Sequence, residues 1–336
     1  MTQARNTSPR RVLVTGAAGF IGMHCAMALS QRGHTVRGVD NFNAYYDVAL
    51  KQGRREQLAG IAQIDDVDIT DRDRLGDVFE TFKPEVVLHL AAQAGVRHSL
   101  TAPFEYLQSN VIGHTAVLEA CRSLGEGFSH LVYASSSSVY GNRAETPFSE
   151  HDPVNEPTSL YAATKRADEL ISSTYAHLYG LRQIGLRLFT VYGAWGRPDM
   201  AYWIFTEKIF NGEPIRVFNH GKMLRDFTYI DDIVGGIVAT VETQPEFAAG
   251  ERCHRVYNLG NNTPEALLDM ISVLEEAIGK KAELRLEPMP AGDVPRTCAD
   301  ISAIQRDYGF SPTTKITDGL PKFVDWYRRW SALRPA

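Results

Sequence analysis

Tyr161 and Lys165 stand four residues apart in Tyr161-Ala-Ala-Thr-Lys165, downstream of the serine run Ser135-Ser136-Ser137-Ser138. At that spacing on a helix, a phenol and an ammonium project from one face. A tyrosine ordinarily ionises near pH ~10, and a fixed positive charge within a few ångströms favours the phenolate and moves that value toward neutrality. Tyr161 is therefore a candidate general base and Lys165 the charge that tunes it. A serine hydroxyl at the end of a preceding strand, with Ser136 the candidate, would hold the same substrate oxygen. Such a trio suits oxidation and reduction at a carbinol centre beside a dinucleotide. Tyr-x-x-x-Lys alone also arises on ordinary helix surfaces, so the elements around it must decide.

Those elements begin at the N-terminal end. Arg11-Val-Leu-Val-Thr15 is a short β-branched run, followed by Gly16-Ala-Ala-Gly19-Phe20-Ile21-Gly22 and an apolar-periodic stretch through Met23, Ala26, Met27 and Leu29. The order reads as strand, glycine turn, helix. Glycines let backbone amides approach a pyrophosphate at a helix N-terminus, where the helix dipole favours negative charge. A second strand, Thr35-Val-Arg-Gly-Val39, ends in Asp40, eighteen residues past Gly22. There a carboxylate accepts hydrogen bonds from the adenosine ribose and repels a 2′-phosphate, so NAD is expected rather than NADP. A structural glycine turn with a solvated aspartate is the alternative; the ordered succession of strand, turn, helix, strand and acid favours the dinucleotide.

Further strand-like runs follow at 86–90, 130–134 and 183–188, separated by helix-like runs at roughly 103–124 and 160–178. This alternation predicts an α/β fold, a Rossmann-type doubly wound parallel sheet with helices on both faces, whose site opens at the carboxyl ends of strands. Ser136 is placed just beyond one such end, and Thr190 and Tyr192 beyond another. After Gly193 the alternation weakens, which predicts a smaller C-terminal substrate-binding lobe. The expected division is residues 1–190 plus about 230–262 for the NAD-binding domain, and about 191–229 plus 263–336 for the lobe. At 336 residues and 44% hydrophobic content the chain can bury a core of that size.

Composition removes several classes of function. A net charge of −5 gives no basic footprint for nucleic acid. The apolar stretch from Val86 to Ala92 is interrupted by His89 and too short to span a bilayer. Residues 1–10 are polar and lack the apolar segment of a secretory signal, so a cytoplasmic protein is expected. Cys25, Cys121, Cys253 and Cys298 are scattered without metal-type spacing and read as reduced, structural thiols; no metal site is expected.

The glycine turn, Leu90-Ala91-Ala92-Gln93, the serine run ending in Val139-Tyr-Gly141 and the Tyr-Lys pair together resemble the extended short-chain dehydrogenase/reductases that act on nucleotide sugars. Within that group, Asp40-Asn41-Phe-Asn-Ala-Tyr-Tyr46, Ala194-Trp-Gly-Arg-Pro-Asp-Met200 and Leu224-Arg-Asp-Phe-Thr-Tyr-Ile-Asp-Asp232 resemble the UDP-glucuronate 4-epimerases. The resemblance implies that Tyr161 takes the proton of the sugar C4 hydroxyl while C4 gives its hydride to bound NAD. The resulting 4-keto sugar turns over and is reduced on its other face. Lys165 would hold the nicotinamide ribose, Ser136 would donate to the C4 oxygen, and Ser137 and Ser138 would make secondary sugar contacts.

A ketone at C4 makes the C6 carboxylate a β-keto acid, which must be restrained from losing carbon dioxide. Arg197 is the candidate clamp, with Thr190 as a further donor; a surface-loop arginine is the plainer reading. Arg225 and Arg216 are candidates for the UDP pyrophosphate and Asp293 for the uridine ribose. Related sugar epimerases have an arginine three residues before that aspartate, where this chain has Pro290. Asp68 and Ile69 resemble a pair that contacts adenine, although four aspartates between 65 and 71 equally suit a solvated loop. Gln93 and Arg97 are expected to line the cofactor and sugar pockets. The resemblance also implies a homodimer through the helices near 103–124 and 160–178.

UDP-glucuronate decarboxylases and dehydratases share the scaffold but carry a carboxylate before Val-Tyr-Gly, where Ser137 and Ser138 stand here. UDP-glucose 4-epimerase is the nearer rival, separated by Arg197 and Thr190. An NAD-binding sensor or scaffold without catalysis would be expected to lose the Tyr-Lys pair.

Overall fold

Val12, Leu13 and Val14 are free of solvent in succession, which a strand permits only when both its faces are covered. The computed structural model describes residues 8–289 and 293–332. The first half of the chain runs β1 (Arg11–Thr15), α1 (Phe20–Gln31), β2 (Thr35–Asp40), α2 (Val48–Gln57), β3 (Gln63–Asp66), α3 (Arg72–Phe82), β4 (Val86–His89), α4 (Pro103–Tyr106), α5 (Gly113–Ser123), β5 (His130–Ser136), α6 (Leu160–Tyr179) and β6 (Gln183–Leu188). The second half runs β7 (Thr190–Tyr192), α7 (Ala201–Asn211), β8 (Ile215–Val217), β9 (Leu224–Tyr229), α8 (Ile230–Glu242), β10 (His254–Leu259), β11 (Pro264–Ala266), α9 (Leu267–Ile278), β12 (Leu284–Leu286), α10 (Ser302–Tyr308) and α11 (Ile316–Ala332).

Seven strands form one parallel sheet in the order β10-β6-β5-β4-β1-β2-β3. Side chains alternate across it: Val12, Val14, Leu88, Val132 and Ile184 join one apolar core, and Leu13, Val87, Leu131 and Tyr133 the other. The strand order reverses between β1 and β4, so the loops leaving these two strands part and open a crevice at their carboxyl ends. β11, β9 and β7 form a three-stranded sheet, and β12 pairs with β8.

The structure departs from the sequence expectation at three places. Ser136 is the last residue of β5 rather than lying beyond it, and Thr190 opens β7 rather than ending a strand. The helix expected over 103–124 is interrupted by a wide π turn at Leu107–Ile112. That turn carries the buried Asn110, whose amide accepts from Gln93 N at 2.7 Å and donates to Gln93 O at 3.0 Å and Thr164 Oγ1 at 2.9 Å. A wide turn re-aims one side chain out of the regular helical register, and here it secures the loop after β4.

Helix α6 is bounded as its sequence demands. Ser159 Oγ accepts from Ala162 N at 3.1 Å, and Gly180 closes the other end in a left-handed conformation. Tyr161 thereby falls in the first turn. The helix is fixed to the sheet by Glu169, which binds Arg187 of β6 through two hydrogen bonds of 2.8 and 2.9 Å and accepts from Ser135 Oγ at 2.7 Å. The Arg187 and Glu169 side chains are 3% and 1% exposed. Although burial opposes ionisation, Arg187, Ser135 and Arg166 hold the Glu169 carboxyl below the usual range.

Removing one partner of a buried pair leaves the other charge uncompensated, so Glu169→Gln is expected to lower unfolding free energy by about 3–5 kcal/mol. Because the folded value is depressed, the stabilisation is complete above the unfolded glutamate value of 4.5 and is lost as pH falls through the folded one. Urea unfolding of both proteins between neutral and acidic pH checks this: their midpoints should converge on acidification. A variant matching the parent at neutral pH would contradict it.

Candidate active site

The crevice is built first from backbone. Gly16 has φ +70°, and a Cβ there would meet Ala91 N at 2.7 Å, so the turn after β1 and the loop after β4 approach as closely as only glycine allows. A Cβ on Gly22 would fall 2.0 Å from Gly16 O. Gly19 caps α1 without any side-chain hydrogen bond, and the first turn carries no acid. The amides at this helix start therefore open toward the crevice, a cradle that fits a pyrophosphate.

Gly16, Gly19, Phe20, Ile21 and Gly22 line one wall of the cleft, and Leu90, Ala91, Ala92 and Gln93 line another. Asp40 and Asn41 stand at the end of β2, with Ile69 nearby. Asp40 accepts from Ala18 N at 3.0 Å and Phe42 N at 2.9 Å. Burial raises its pKa, against the opposing pull of Lys51 and those two amides. Asp68 does not line the cleft; it accepts from Asn41 Nδ2 at 2.8 Å and from Thr70 N at 2.8 Å, which holds the neighbouring loop.

Ser136, Tyr161 and Lys165 face the same cleft, brought there by the end of β5 and the first turns of α6. Ser136 Oγ lies 3.1 Å from Ser138 Oγ and accepts from Ser138 N at 3.2 Å, so the serine run folds back on itself in a short 3-10 turn. Ser137 and Ser138 sit in that turn and do not line the cleft. The Tyr106 ring stands edge-on to Tyr161 at 6.1 Å. Lys165 Nζ donates to Asp168 Oδ2 at 3.0 Å, and both side chains are buried. Burial pushes the Asp168 carboxyl up to about 6, while Lys165 pulls the other way. His89, behind this pair, is pushed down to about 3 by burial and by the Lys165 charge, and is neutral.

Arg197 enters from the loop ahead of α7. It grips Asp199 bidentately, Nε to Oδ1 at 2.9 Å and Nη2 to Oδ2 at 2.5 Å, and Tyr45 OH donates to Asp199 Oδ2 at 3.1 Å. Burial disfavours the guanidinium charge, but Asp199, Tyr161 and Tyr45 outweigh it and raise the Arg197 pKa. Arg197 and Tyr161 are thus electrostatic neighbours within one cleft.

The remaining substrate candidates are not among the residues that line it. Arg97 stacks over Phe218 at 4.7 Å, and Arg216 covers the same ring at 5.2 Å while paired with Glu287 at 2.6 Å. Arg225 donates to Asp293 Oδ1 at 2.7 Å. Thr190 is paired with Phe227 across β7 and β9. Pro290 lies outside the described residues.

Several cleft residues went unread in the sequence. Lys51 is 6% exposed and donates to Asn43 Oδ1 at 2.7 Å; Asn43 donates to Gln93 Oε1 at 3.2 Å. Tyr45, Tyr46, Ser109 and Met200 also line the walls. Tyr45 and Tyr46 stood in a quoted motif, whereas Lys51 stood in a charged helical run with no signal to separate it from a solvated face. Among the described residues no group of acidic, histidine or cysteine side chains could hold a metal.

Comparison with known proteins places these features in context. Residues 12–260 match the NAD dependent epimerase/dehydratase family. UDP-glucuronate 4-epimerase 4 of Arabidopsis thaliana is 49% identical over 328 residues, covering 94% of this chain and 75% of that protein. The crystal structure of UDP-glucuronic acid 4-epimerase from Bacillus cereus, in complex with UDP-glucuronic acid and NAD, has a TM-score of 0.87 and 34% identity, covering 95% of this chain and 99% of that one. UDP-glucose 4-epimerase from Thermotoga maritima, with UDP-glucose, has a TM-score of 0.85 and 29% identity over 96% and 99%.

A 2′-phosphate beside Asp40 would set like charges together, so NADP should bind on the order of a hundredfold more weakly than NAD. Asp40→Asn should narrow that gap. Calorimetric titration of cofactor-stripped protein measures both; equal affinity in the unaltered protein would contradict the assignment of Asp40.

Proposed function

Because the chain belongs to the NAD dependent epimerase/dehydratase family, we propose that it interconverts UDP-glucuronate and UDP-galacturonate, inverting C4 without loss of carbon dioxide. The observation that carries this reading is Arg197, which lines the cleft beside Tyr161 and already grips a carboxylate along one edge. Asp199 takes the Nε–Nη2 edge, which orients the guanidinium and leaves Nη1 for a second anion. The glucuronate carboxylate is that anion.

NAD, when bound, supplies the hydride acceptor and donor at C4. The glycine turn, the open start of α1, Asp40 and the Leu90–Gln93 loop are the residues that would hold it. Tyr161 removes the proton from the C4 hydroxyl and later returns it, and Ser136 donates a hydrogen bond to the same oxygen. Lys165 lies one turn below Tyr161 with its ammonium oriented by Asp168, placed to reach the nicotinamide ribose.

The 4-keto sugar loses carbon dioxide fastest when its C5–C6 bond lies parallel to the carbonyl π system. Arg197 holds the carboxylate out of that alignment. Ser137 and Ser138 offer hydroxyls where further acid–base work would need a carboxylate, and a hydroxyl does not supply it at neutral pH. This favours epimerisation over decarboxylation.

The UDP portion is assigned to the lobe formed by about 191–229 and 263–336, with Arg225, Arg216, Arg97 and Asp293 as its candidate contacts. A homodimer through α4, α5 and α6 would cover Phe104, Leu170 and Leu178, which are 80%, 53% and 60% exposed. No helix of the described residues is long and apolar enough to cross a membrane, and the buried thiols Cys25, Cys121 and Cys298 are free, in keeping with a cytoplasmic enzyme.

Incubating the protein with UDP-glucuronate should give UDP-galacturonate by proton NMR, with no carbon dioxide. Tyr161→Phe should lower kcat by on the order of 10²–10⁴, and Arg197→Met should divert product to a pentose with release of carbon dioxide. Turnover of UDP-glucose with the uronate untouched would replace this reading by the neutral-sugar epimerase; a pentose from the unaltered enzyme would replace it by the decarboxylase.

A further inference from the structure

Arg54 is one of the largest side chains buried completely among the described residues, and its surroundings are not those of an ordinary buried arginine. Nε and Nη2 donate to Trp195 O at 3.0 and 2.7 Å, and Nη2 donates also to Gly196 O at 2.8 Å. Nη1 donates to Ala18 O at 3.2 Å and Tyr46 OH at 2.6 Å. All these acceptors are neutral oxygens; the Asp40 carboxylate lies near enough to feel the guanidinium charge but accepts none of its hydrogen bonds. A guanidinium taken out of water with no carboxylate directly paired to it is costly, so its retention calls for a geometric task that a packed apolar side chain would not perform.

The acceptors name that task. Ala18 lies in the glycine turn, and Trp195 and Gly196 immediately precede Arg197. Trp195 has φ +61°, a left-handed conformation that a bulky residue keeps only when its surroundings over-determine it. Its ring is packed against Gly53, where a Cβ would stand 2.8 Å away, and lies 5.2 Å from Trp326. Tyr45, from the same segment after β2, holds Asp199 on the far side of Arg197. The clamp is tethered on both flanks by the stretch of chain that follows the cofactor-reading Asp40.

We infer that Arg54 is a specificity-positioning residue, fixing the Trp195–Asp199 loop to the dinucleotide turn so that Arg197 meets the substrate carboxylate in a register set by the cofactor site. This rests on Arg197 acting as the uronate clamp. Arg54 touches neither substrate nor reacting atoms and works through the loop alone.

The holoenzyme is compared with Arg54→Met, which keeps much of the bulk, and Arg54→Lys, which keeps the charge and some of the donors. Arg54→Met should lower kcat/KM for UDP-glucuronate by on the order of tenfold to a hundredfold. Any turnover of UDP-glucose should change far less, and the fraction of pentose and carbon dioxide should rise; Arg54→Lys should fall between. Amide hydrogen exchange should quicken over residues 193–200 in Arg54→Met and stay unchanged in β4 and β5. Should Arg54→Met fail to fold, the same comparison is made on Arg54→Lys. Exchange at parental rates, or equal loss on charged and neutral sugars with no diverted product, overturns the inference. If the unaltered enzyme ignores UDP-glucuronate, the functional reading fails, and the tether is judged on exchange alone.

Discussion

The Glu169 carboxylate is the interaction on which the reacting geometry depends. One oxygen receives Ser135 and Arg187, the other Arg187 and Arg166, so a single buried group joins the carboxyl ends of β5 and β6 to the face of α6. Ser136 follows Ser135 directly, and Tyr161 and Lys165 lie two and one turns up the same helix. A helix held only by apolar contacts can rotate or slide by a fraction of a turn at small cost, whereas a bidentate pair tolerates neither. An apolar replacement of the pair could match its stability, but it would not hold a phenol and a serine hydroxyl in register on separate elements.

The same economy of charge runs through the cleft. Lys165 is oriented by Asp168, Arg197 by Asp199, and Lys51 stands beside Asp40. Lys51 is 6% exposed and Asp168 fully buried, and that burial lowers the Lys51 pKa and raises that of Asp168. Internal carboxylates keep the cations in place before any ligand arrives, and each cation retains donors beyond those its partner uses. Binding an anionic nucleotide sugar then requires little rearrangement, because the positive groups are already oriented and their charge only partly satisfied.

Much of this was legible in the sequence because it is local. The short β-branched runs, the glycine spacing, the acid closing β2 and the Tyr-Lys pair are each contained within a few residues, and the structure brings Gly16, Asp40, Ser136, Tyr161, Lys165 and Arg197 to one cleft. What stayed hidden depends on distant contacts. Arg54 and Trp195 are separated by 141 residues, and Arg54 sits in Lys51-Gln-Gly-Arg-Arg55, a run that reads as a solvated helix face. Asp168 follows Lys165 by three residues and could have been found by helical spacing, yet a surface i, i+3 pair looks the same in sequence. The displaced ends at Ser136 and Thr190 reflect strand limits that pairing partners set, not the strand's own residues. Arg216 shows the reverse: a cation singled out by motif whose side chain is 64% exposed and held by Glu287.

The central claim is that hydrogen leaves C4 and returns to the same carbon, with no chemistry at C5 and no loss of C6. UDP-glucuronate deuterated at C4 tests it most directly. The account predicts that UDP-galacturonate retains the deuterium at C4, that the rate shows a primary isotope effect, and that no label exchanges with solvent. Loss of deuterium from C4, or solvent hydrogen entering at C5, would contradict it.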